Sequence, residues 1–137
     1  MGEKDYSKTP LWKKLGIKEA SRVLIVGAPA HFRSLIEPLP PDVQLSTKTA
    51  AADVIIAFET SERRFPKRFA TLAKALDPAG GLWIAYPKRN SKIATDLTFD
   101  NVQAAGLDAG LVDNKSCAID DDWSAVRFVY RLKDRRT

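Results

Sequence analysis

The sequence predicts a three-layer α/β sandwich, in which a mostly parallel sheet ends in a C-terminal antiparallel hairpin. Residues 21–27, 52–58 and 81–86 are apolar runs without polar alternation, which is typical of parallel strands buried on both faces. Helical patterns separate these runs, as in parallel sheets built from strand–helix–strand units. The last two predicted strands, 111–119 and 124–132, flank the short turn "DDDW", which indicates an antiparallel hairpin.

Three of the predicted helices have identifiable starts. Thr9 and Pro10 suit the cap and first turn of a short N-terminal helix, and Thr98 suits the cap of a helix over 99–109. A third helix is expected after Thr60-Ser61, either of which can cap it, and "DPAGG" is expected to end it near residue 76. Its apolar residues recur at helical spacing: Phe65, Phe69, Leu72, Ala73 and Leu76.

The remaining elements are short, and one connection is unusual. A helix over 30–37 is followed by a weak strand at 43–46. The link over 46–53 is too short for a helical crossover, which needs about a dozen residues. We expect the whole chain to form a single domain, in which 1–20 make an N-terminal helical cover and 133–137 a basic tail.

Composition excludes several classes of protein. The chain has one cysteine, Cys117, and one histidine, His31, so neither an intramolecular disulfide nor a conventional metal site is expected. We interpret the three acids of "IDDDWS" as a hairpin turn, because metal loops space their oxygen ligands at alternate positions. No apolar run has the length of a membrane span, and the N-terminus lacks a secretory signal, so a cytoplasmic location is expected.

The charge balance favours anionic partners. The formal net charge is +5 at pH 7, and the cations are concentrated in "SERRFPKRF" and "RLKDRRT". Nucleic acid is one such partner, but no nucleic-acid-binding module is recognisable in the sequence. A small anionic ligand or the acidic surface of a protein partner is therefore favoured.

The order of these elements resembles a shortened class I methyltransferase fold. "RVLIVGAP" is similar to the first strand and glycine loop of that family, "ADVIIAF" to its fourth strand, and "LAKALDPAGGLWIAYPK" to the helix, turn and fifth strand that follow. The third strand of the family and its helices are missing. The sequence also resembles an uncharacterised bacterial family, domain of unknown function 3052, in "TPLWKKLGI", "VGAPAHF", "YPKRNSKIATDLT", "GLVDNKSCAID" and "WSAVRFVYRL".

Two departures from the methyltransferase pattern bear on the cofactor that the resemblance implies, S-adenosylmethionine. The first loop keeps only Gly27 and then continues Ala28-Pro29-Ala30, in which Pro29 lacks a backbone donor and has a fixed φ. The second strand ends in "STKTAA", with no carboxylate for the ribose hydroxyls until Asp53. We therefore expect the chain to have no cofactor.

Three segments are expected to meet at the carboxyl ends of the parallel strands, where ligands of such sheets bind. These are residues 27–31, 58–60 and 87–91. The candidate ligand-binding residues are Gly27, Pro29, His31, Lys88, Arg89, Ser91 and Asp96. The basic ones suit a phosphate or carboxylate, although a loop rich in Lys and Ser is also the usual way for a strand to enter solvent.

No catalytic residue is expected among these candidates. His31 has no nucleophile placed beside it by the sequence, so it does not identify a general base. Asp96 has two interpretations: it pairs with Lys88 or Lys115, or it is an ordinary turn residue that bonds to backbone, which we prefer.

Three functions fit these observations. We favour a non-catalytic binding or regulatory module that takes an anionic ligand or acidic partner at the carboxyl edge of the sheet. The second is a divergent S-adenosylmethionine-dependent methyltransferase. The third is a subunit that docks on a partner through its C-terminal hairpin, which a contiguous apolar patch on that hairpin would mark.

Overall fold

A computed structural model describes residues 9–134. The beginning of the expected N-terminal cover, 1–8, and the end of the basic tail, 135–137, lie outside the described residues. The elements in chain order are α1 (Leu11–Lys14), β1 (Arg22–Val26), α2 (Phe32–Leu35), β2 (Gln44–Ser46), β3 (Ala52–Phe58), α3 (Phe65–Ala75), β4 (Leu76–Pro87), α4 (Phe99–Asp108), β5 (Leu111–Ala118), β6 (Trp123–Tyr130) and a 3-10 turn (Leu132–Asp134).

The six strands form one sheet in the order β2-β1-β3-β4-β6-β5. Strands β1 to β4 are parallel, and β6 runs antiparallel to both of its neighbours, so the predicted fold class is confirmed. From β1 the chain moves outward to β2 and then returns to the other side of β1 with β3. The direction of winding therefore reverses between β1 and β3, and crevices at the carboxyl ends of such strands are the usual ligand sites of this architecture.

The helices cover both faces of the sheet and make the outer two layers. On one face α3 and α4 pack over a cluster that contains Phe69, Leu82 and Phe128. On the other face a second cluster lies beneath α1 and α2 and contains Phe32 and Trp83. Parallel strands buried in this way need apolar side chains in both directions, which explains the unbroken hydrophobic runs of the sequence.

The ends of the helices differ in part from the prediction. Thr98 caps α4 as expected, in a reciprocal capping box with Asn101. At α1 the N-cap is Pro10 without a side-chain hydrogen bond, so Thr9 is not the capping residue. At α3 the N-cap is Arg64, and the predicted Ser61 lies in the turn before it, where its Oγ accepts the backbone N–H of Arg64 at 3.3 Å.

Beyond α3 the segment "DPAGG" does not form an isolated turn. It belongs to β4, because the chain becomes extended at Leu76 and pairs there with Ala52 of β3. This pairing is between residues far apart in sequence, so local turn chemistry does not reveal it.

Hydrophobic exposure is confined to a few positions. Among residues 9–134 the exposed large hydrophobic side chains are Phe99, Leu107 and Leu132, none of which lies in β5 or β6. The described hairpin therefore lacks the apolar patch that would mark a docking surface, and partner binding through it stays a prediction. No helix in this part of the chain has the length and apolar character that a bilayer crossing requires.

Gly106 sets the distance between α4 and the sheet. A Cβ atom built at this position overlaps the ring of Phe128, which is fully buried in β6 and stacks edge-to-face on Phe69 at 5.1 Å between ring centroids. The ring has no space to move away, because it belongs to the core cluster under α3 and α4.

Gly106→Ala tests this close approach. Helix propensity alone would make the alanine variant more stable by ~1 kcal/mol, whereas overpacking costs ~1–3 kcal/mol, and an overlap this severe lies at the upper end. We expect the free energy of unfolding in urea to fall by ~2 kcal/mol net. The control is Asp108→Ala on the exposed side of the same helix, with a change within ~0.5 kcal/mol; a stabilised Gly106→Ala variant would contradict the packing described here.

Candidate functional site

The turn that leaves β1 brings the ends of β1 and β3 together. Gly27 has φ +68°, a left-handed conformation that glycine adopts at little cost. A Cβ at Gly27 would lie 3.2 Å from the carbonyl oxygen of Phe58, so the missing side chain also permits the close approach of the two strands' ends.

A groove opens beside this turn, between the ends of β1 and β2. We call it the β1–β2 groove, and its volume is about 480 Å³. Its polar side chains are Arg33, Ser46 and Thr47, and no carboxylate lines it. The full lining is Ile25, Val26, Gly27, Ala28, Pro29, Ala30, Arg33, Leu45, Ser46 and Thr47. Gly27 and Pro29 of the predicted site therefore line a common concavity.

Lys88, Arg89 and Ser91 line a different concavity, of about 630 Å³, beyond the end of β4. We call it the loop cavity, because residues 87–99 supply most of its wall, together with Tyr86 and Ser124. The predicted candidates thus form two groups at the same edge of the sheet rather than one. Their role in ligand binding stays a prediction.

The acidic turn between β5 and β6 holds the loops on either side of it. Ser91 Oγ donates to Asp122 Oδ1 at 3.0 Å, and the Lys88 backbone N–H donates to the Asp122 carbonyl oxygen at 2.8 Å. His31 Nε2 lies 2.8 Å from Asp120 Oδ2, although 89 residues separate them in sequence. The candidates His31 and Ser91 are therefore both engaged by acids of this turn.

The position of Asp120 in that turn changes the pKa of its carboxyl group. Burial raises its pKa, but hydrogen bonds from His31 and from the backbone N–H groups of Asp122 and Trp123 outweigh burial, so the net pKa is lowered. Asp120 is thus held as a carboxylate that accepts several hydrogen bonds and fixes the entrance to α2 against the hairpin.

Asp96 connects the loop cavity to the start of α3. Its Oδ1 accepts the backbone N–H of Glu62 at 2.7 Å, and its own N–H donates to the carbonyl oxygen of Thr60 at 3.3 Å. The side chain's partner is therefore a backbone group 34 residues away, and neither Lys88 nor Lys115 is paired with it.

Glu59 is a further charged residue at this edge, and the sequence analysis did not single it out. It follows β3 directly and is only 4% exposed. Arg68 Nε of α3 lies 3.1 Å from Glu59 Oε2, in an ion pair that lacks hydrogen-bond geometry and leaves this oxygen without a hydrogen bond. Burial raises the pKa of Glu59 to about 6, although the charges of Arg68 and Arg64 oppose the rise.

The sequence does contain a signal for Glu59. Glu59 directly follows a strongly apolar strand and precedes a helix rich in arginine, which makes it a candidate for a partly buried ion pair with that helix. Perturbed and buried carboxylates of this kind cluster at functional sites, so Glu59 belongs to the description of this edge.

Glu59→Gln tests the burial of this carboxylate through the pH dependence of stability. Between pH 4.5 and about 6 the folded protein holds the Glu59 proton more tightly than the unfolded chain, so stability falls as the pH rises through this window. The raised pKa corresponds to ~2 kcal/mol of destabilisation at neutral pH. Urea unfolding should therefore show that the variant gains ~2 kcal/mol over the wild type between pH 4.5 and 7.5. The control is Glu62→Gln at a neighbouring exposed carboxylate; equal Glu59→Gln differences at both pH values would contradict this burial.

The fold is that of solved methyltransferases. A SAM-dependent methyltransferase from Aquifex aeolicus matches with a TM-score of 0.62 and 16% identity, over 85% of this chain and 85% of that one. Magnesium protoporphyrin IX methyltransferase from Synechocystis PCC 6803 with bound SAH matches with a TM-score of 0.61 and 12% identity, over 80% of this chain and 73% of that one. A putative methyltransferase from Thermoplasma acidophilum matches with a TM-score of 0.59 and 10% identity, over 92% and 76% of the two chains.

Sequence comparison does not extend this result. No protein-family model matches the chain, and no curated protein does. Membership of domain of unknown function 3052 therefore stays a prediction, whereas the resemblance to the methyltransferase fold is confirmed.

The structural comparison corrects the expectation that the chain has no cofactor. That expectation is wrong, because it treated the loss of the glycine-rich loop and of the ribose acid as decisive, whereas similar structures of this fold were solved with SAH or SAM bound. The chain has a six-stranded, Rossmann-like methyltransferase fold with its loop concavities at the carboxyl edge of the sheet.

Proposed function

We propose that this chain is a divergent S-adenosylmethionine-dependent methyltransferase that holds its cofactor in the β1–β2 groove. The observation that carries the proposal is the position of this groove. It opens beside the switch between β1 and β3, in a chain whose overall fold is similar to that of solved methyltransferases.

The residues of the groove fit such a cofactor. The volume of about 480 Å³ is in the range of small-molecule sites, which is ~300–1,000 Å³. The hydroxyl groups of Ser46 and Thr47 would replace the missing acid in contacts with the ribose, and Arg33 would face the cofactor's carboxylate. Gly27 leaves the backbone without a side chain on the exposed side of the turn.

When bound, this cofactor supplies an electrophilic methyl group on a sulfonium centre. The chain's own residues would position the cofactor and the acceptor. The hydrogen bond between His31 and Asp120 holds the wall of the β1–β2 groove against the hairpin. Lys88 and Arg89 line the loop cavity at the same edge and would orient an anionic acceptor there.

The non-catalytic module favoured by the sequence has less support than this proposal. It rested on the absence of a cofactor, and the similar solved structures with this fold are methyltransferases. Fold alone does not establish activity, so the proposal depends on measured binding in the groove itself.

Isothermal titration calorimetry with S-adenosylhomocysteine tests the site, because this product-like ligand undergoes no turnover. We expect the wild type to bind it saturably and Thr47→Trp to weaken binding at least ~tenfold, which is ~1.4 kcal/mol, because an indole at this exposed lining position fills the groove. Lys48→Trp, at the adjacent exposed residue that does not line the groove, is the matched control and should bind like the wild type.

Two results would overturn the proposal. One is a wild type that binds neither S-adenosylhomocysteine nor S-adenosylmethionine. The other is equal binding by Thr47→Trp and the wild type, which would place the ligand outside the β1–β2 groove.

A further inference from the structure

A second groove lies on the opposite face of the sheet, between the end of β1 and helix α3. Its volume is about 850 Å³, larger than the β1–β2 groove. We call it the basic groove, because four of its nine lining residues are cations and none is an acid. It is lined by Val26, Thr49, Ser61, Arg63, Arg64, Lys67, Arg68, Thr71 and Leu72.

The amphipathic pattern of α3 creates this surface. Phe65, Phe69 and Leu72 are buried against the sheet, so the basic residues of the helix and of the turn before it are left on the side that faces the groove. Because the chain passes from β2 to β3 without an intervening helix, the side of the groove at Val26 and Thr49 carries no helical cover.

The positive charge of the groove is only partly balanced. Glu59 pairs with Arg68 from beneath. Arg63, Arg64 and Lys67 are exposed and form no ion pair within residues 9–134. Glu59 offsets the charge of Arg68 and acts on Arg64 as well, so Arg63 and Lys67 are the least compensated cations of the groove.

The other residues that line the basic groove indicate which kind of anion it suits. Thr49 and Ser61 add hydroxyl donors, whereas the Thr71 hydroxyl already donates to the carbonyl oxygen of Lys67. The apolar floor is limited to Val26 and Leu72. No aromatic side chain lines the groove, whereas proteins that bind single-stranded nucleic acid stack its bases on aromatic rings. Arginine side chains hold phosphate oxygens with paired hydrogen bonds, so phosphate groups themselves match this lining best.

We propose that the basic groove binds a ligand that carries a chain of two or more phosphate groups. Several separate cations along one groove suit several linked charges better than one. This site is distinct from the β1–β2 groove, and the inference does not rest on the proposed methyltransferase activity.

Calorimetric titration with inorganic tripolyphosphate at low salt tests the inference. We expect the wild type to bind it saturably and Arg63→Gln/Lys67→Gln to weaken binding at least ~tenfold, because this double variant removes two exposed cations of the groove without contact to Glu59. Both side chains are exposed, so folding should be preserved, which the urea midpoint checks.

A matched control separates the groove from net charge. Lys13→Gln/Lys18→Gln removes the same charge from two exposed residues that line neither groove nor the loop cavity, and we expect its affinity for tripolyphosphate to stay within ~threefold of the wild type. Equal weakening by both double variants would overturn the inference in favour of general charge attraction. Weakening by Lys88→Gln/Arg89→Gln but not by Arg63→Gln/Lys67→Gln would overturn it in favour of the loop cavity.

The remaining outcomes are equally decisive. The inference is overturned if the wild type does not bind tripolyphosphate, or if a single-stranded RNA oligonucleotide binds and tripolyphosphate does not displace it. Binding of tripolyphosphate in the basic groove by a protein that ignores S-adenosylhomocysteine would support this site and reject the proposed function, so the two tests fail independently.

Discussion

The parallel pairing of β1 with β3 is the constraint on which the rest of the structure depends. Val23 to Val26 lie in register with Val54 to Ala57, and the central pairs are buried on both faces of the sheet. Because β1 and β3 end at the same level, the segments that follow them have to separate immediately. Gly27 provides this divergence after β1, whereas Glu59 still bonds to β4 and the chain turns towards α3 only after it. Both grooves at this edge follow from that geometry.

Electrostatics divides the carboxyl edge into two parts with different roles. The acids of the β5–β6 turn are used within the protein, where Asp120 meets His31 and Asp122 meets Ser91. These contacts hold loops in place through hydrogen bonds to the carboxylates of Asp120 and Asp122. The cations of α3 are mostly not used in this way, because Arg68 alone has a carboxylate partner among the described residues. The cations of α3 are thus available for the anionic ligand proposed above.

Much of the fold is readable from the sequence because its signals are local. Unbroken apolar runs identify β1, β3 and the apolar part of β4, and Thr98 with Asn101 identifies the start of α4. The prediction of an element fails where its conformation depends on residues that are far away in the sequence. Leu76 becomes extended because Ala52 is available to pair with it, and nothing in "DPAGG" indicates this.

The candidate site was likewise predictable where its signals are local and not where they depend on distant residues. The residues that lie at the carboxyl edge could be predicted, because strand ends follow from strand positions. Their partners could not, since Asp96 bonds to a backbone group 34 residues away and His31 meets a carboxylate 89 residues away. The sequence places Glu59 at the end of β3, but its burial and its pairing with Arg68 depend on a helix that comes later in the chain.

Trp83 links the N-terminal part of the chain to the middle of the sheet. Its ring is completely buried in β4, and the indole N–H donates to the carbonyl oxygen of Leu15 at 2.9 Å. Detaching the segment around α1 would strand this donor in an apolar interior, at a cost of ~1–3 kcal/mol before any loss of packing is counted. We therefore expect the small helix and the central strand to unfold together, and removal of the chain through Leu15 to destabilise the middle of the sheet rather than its edge.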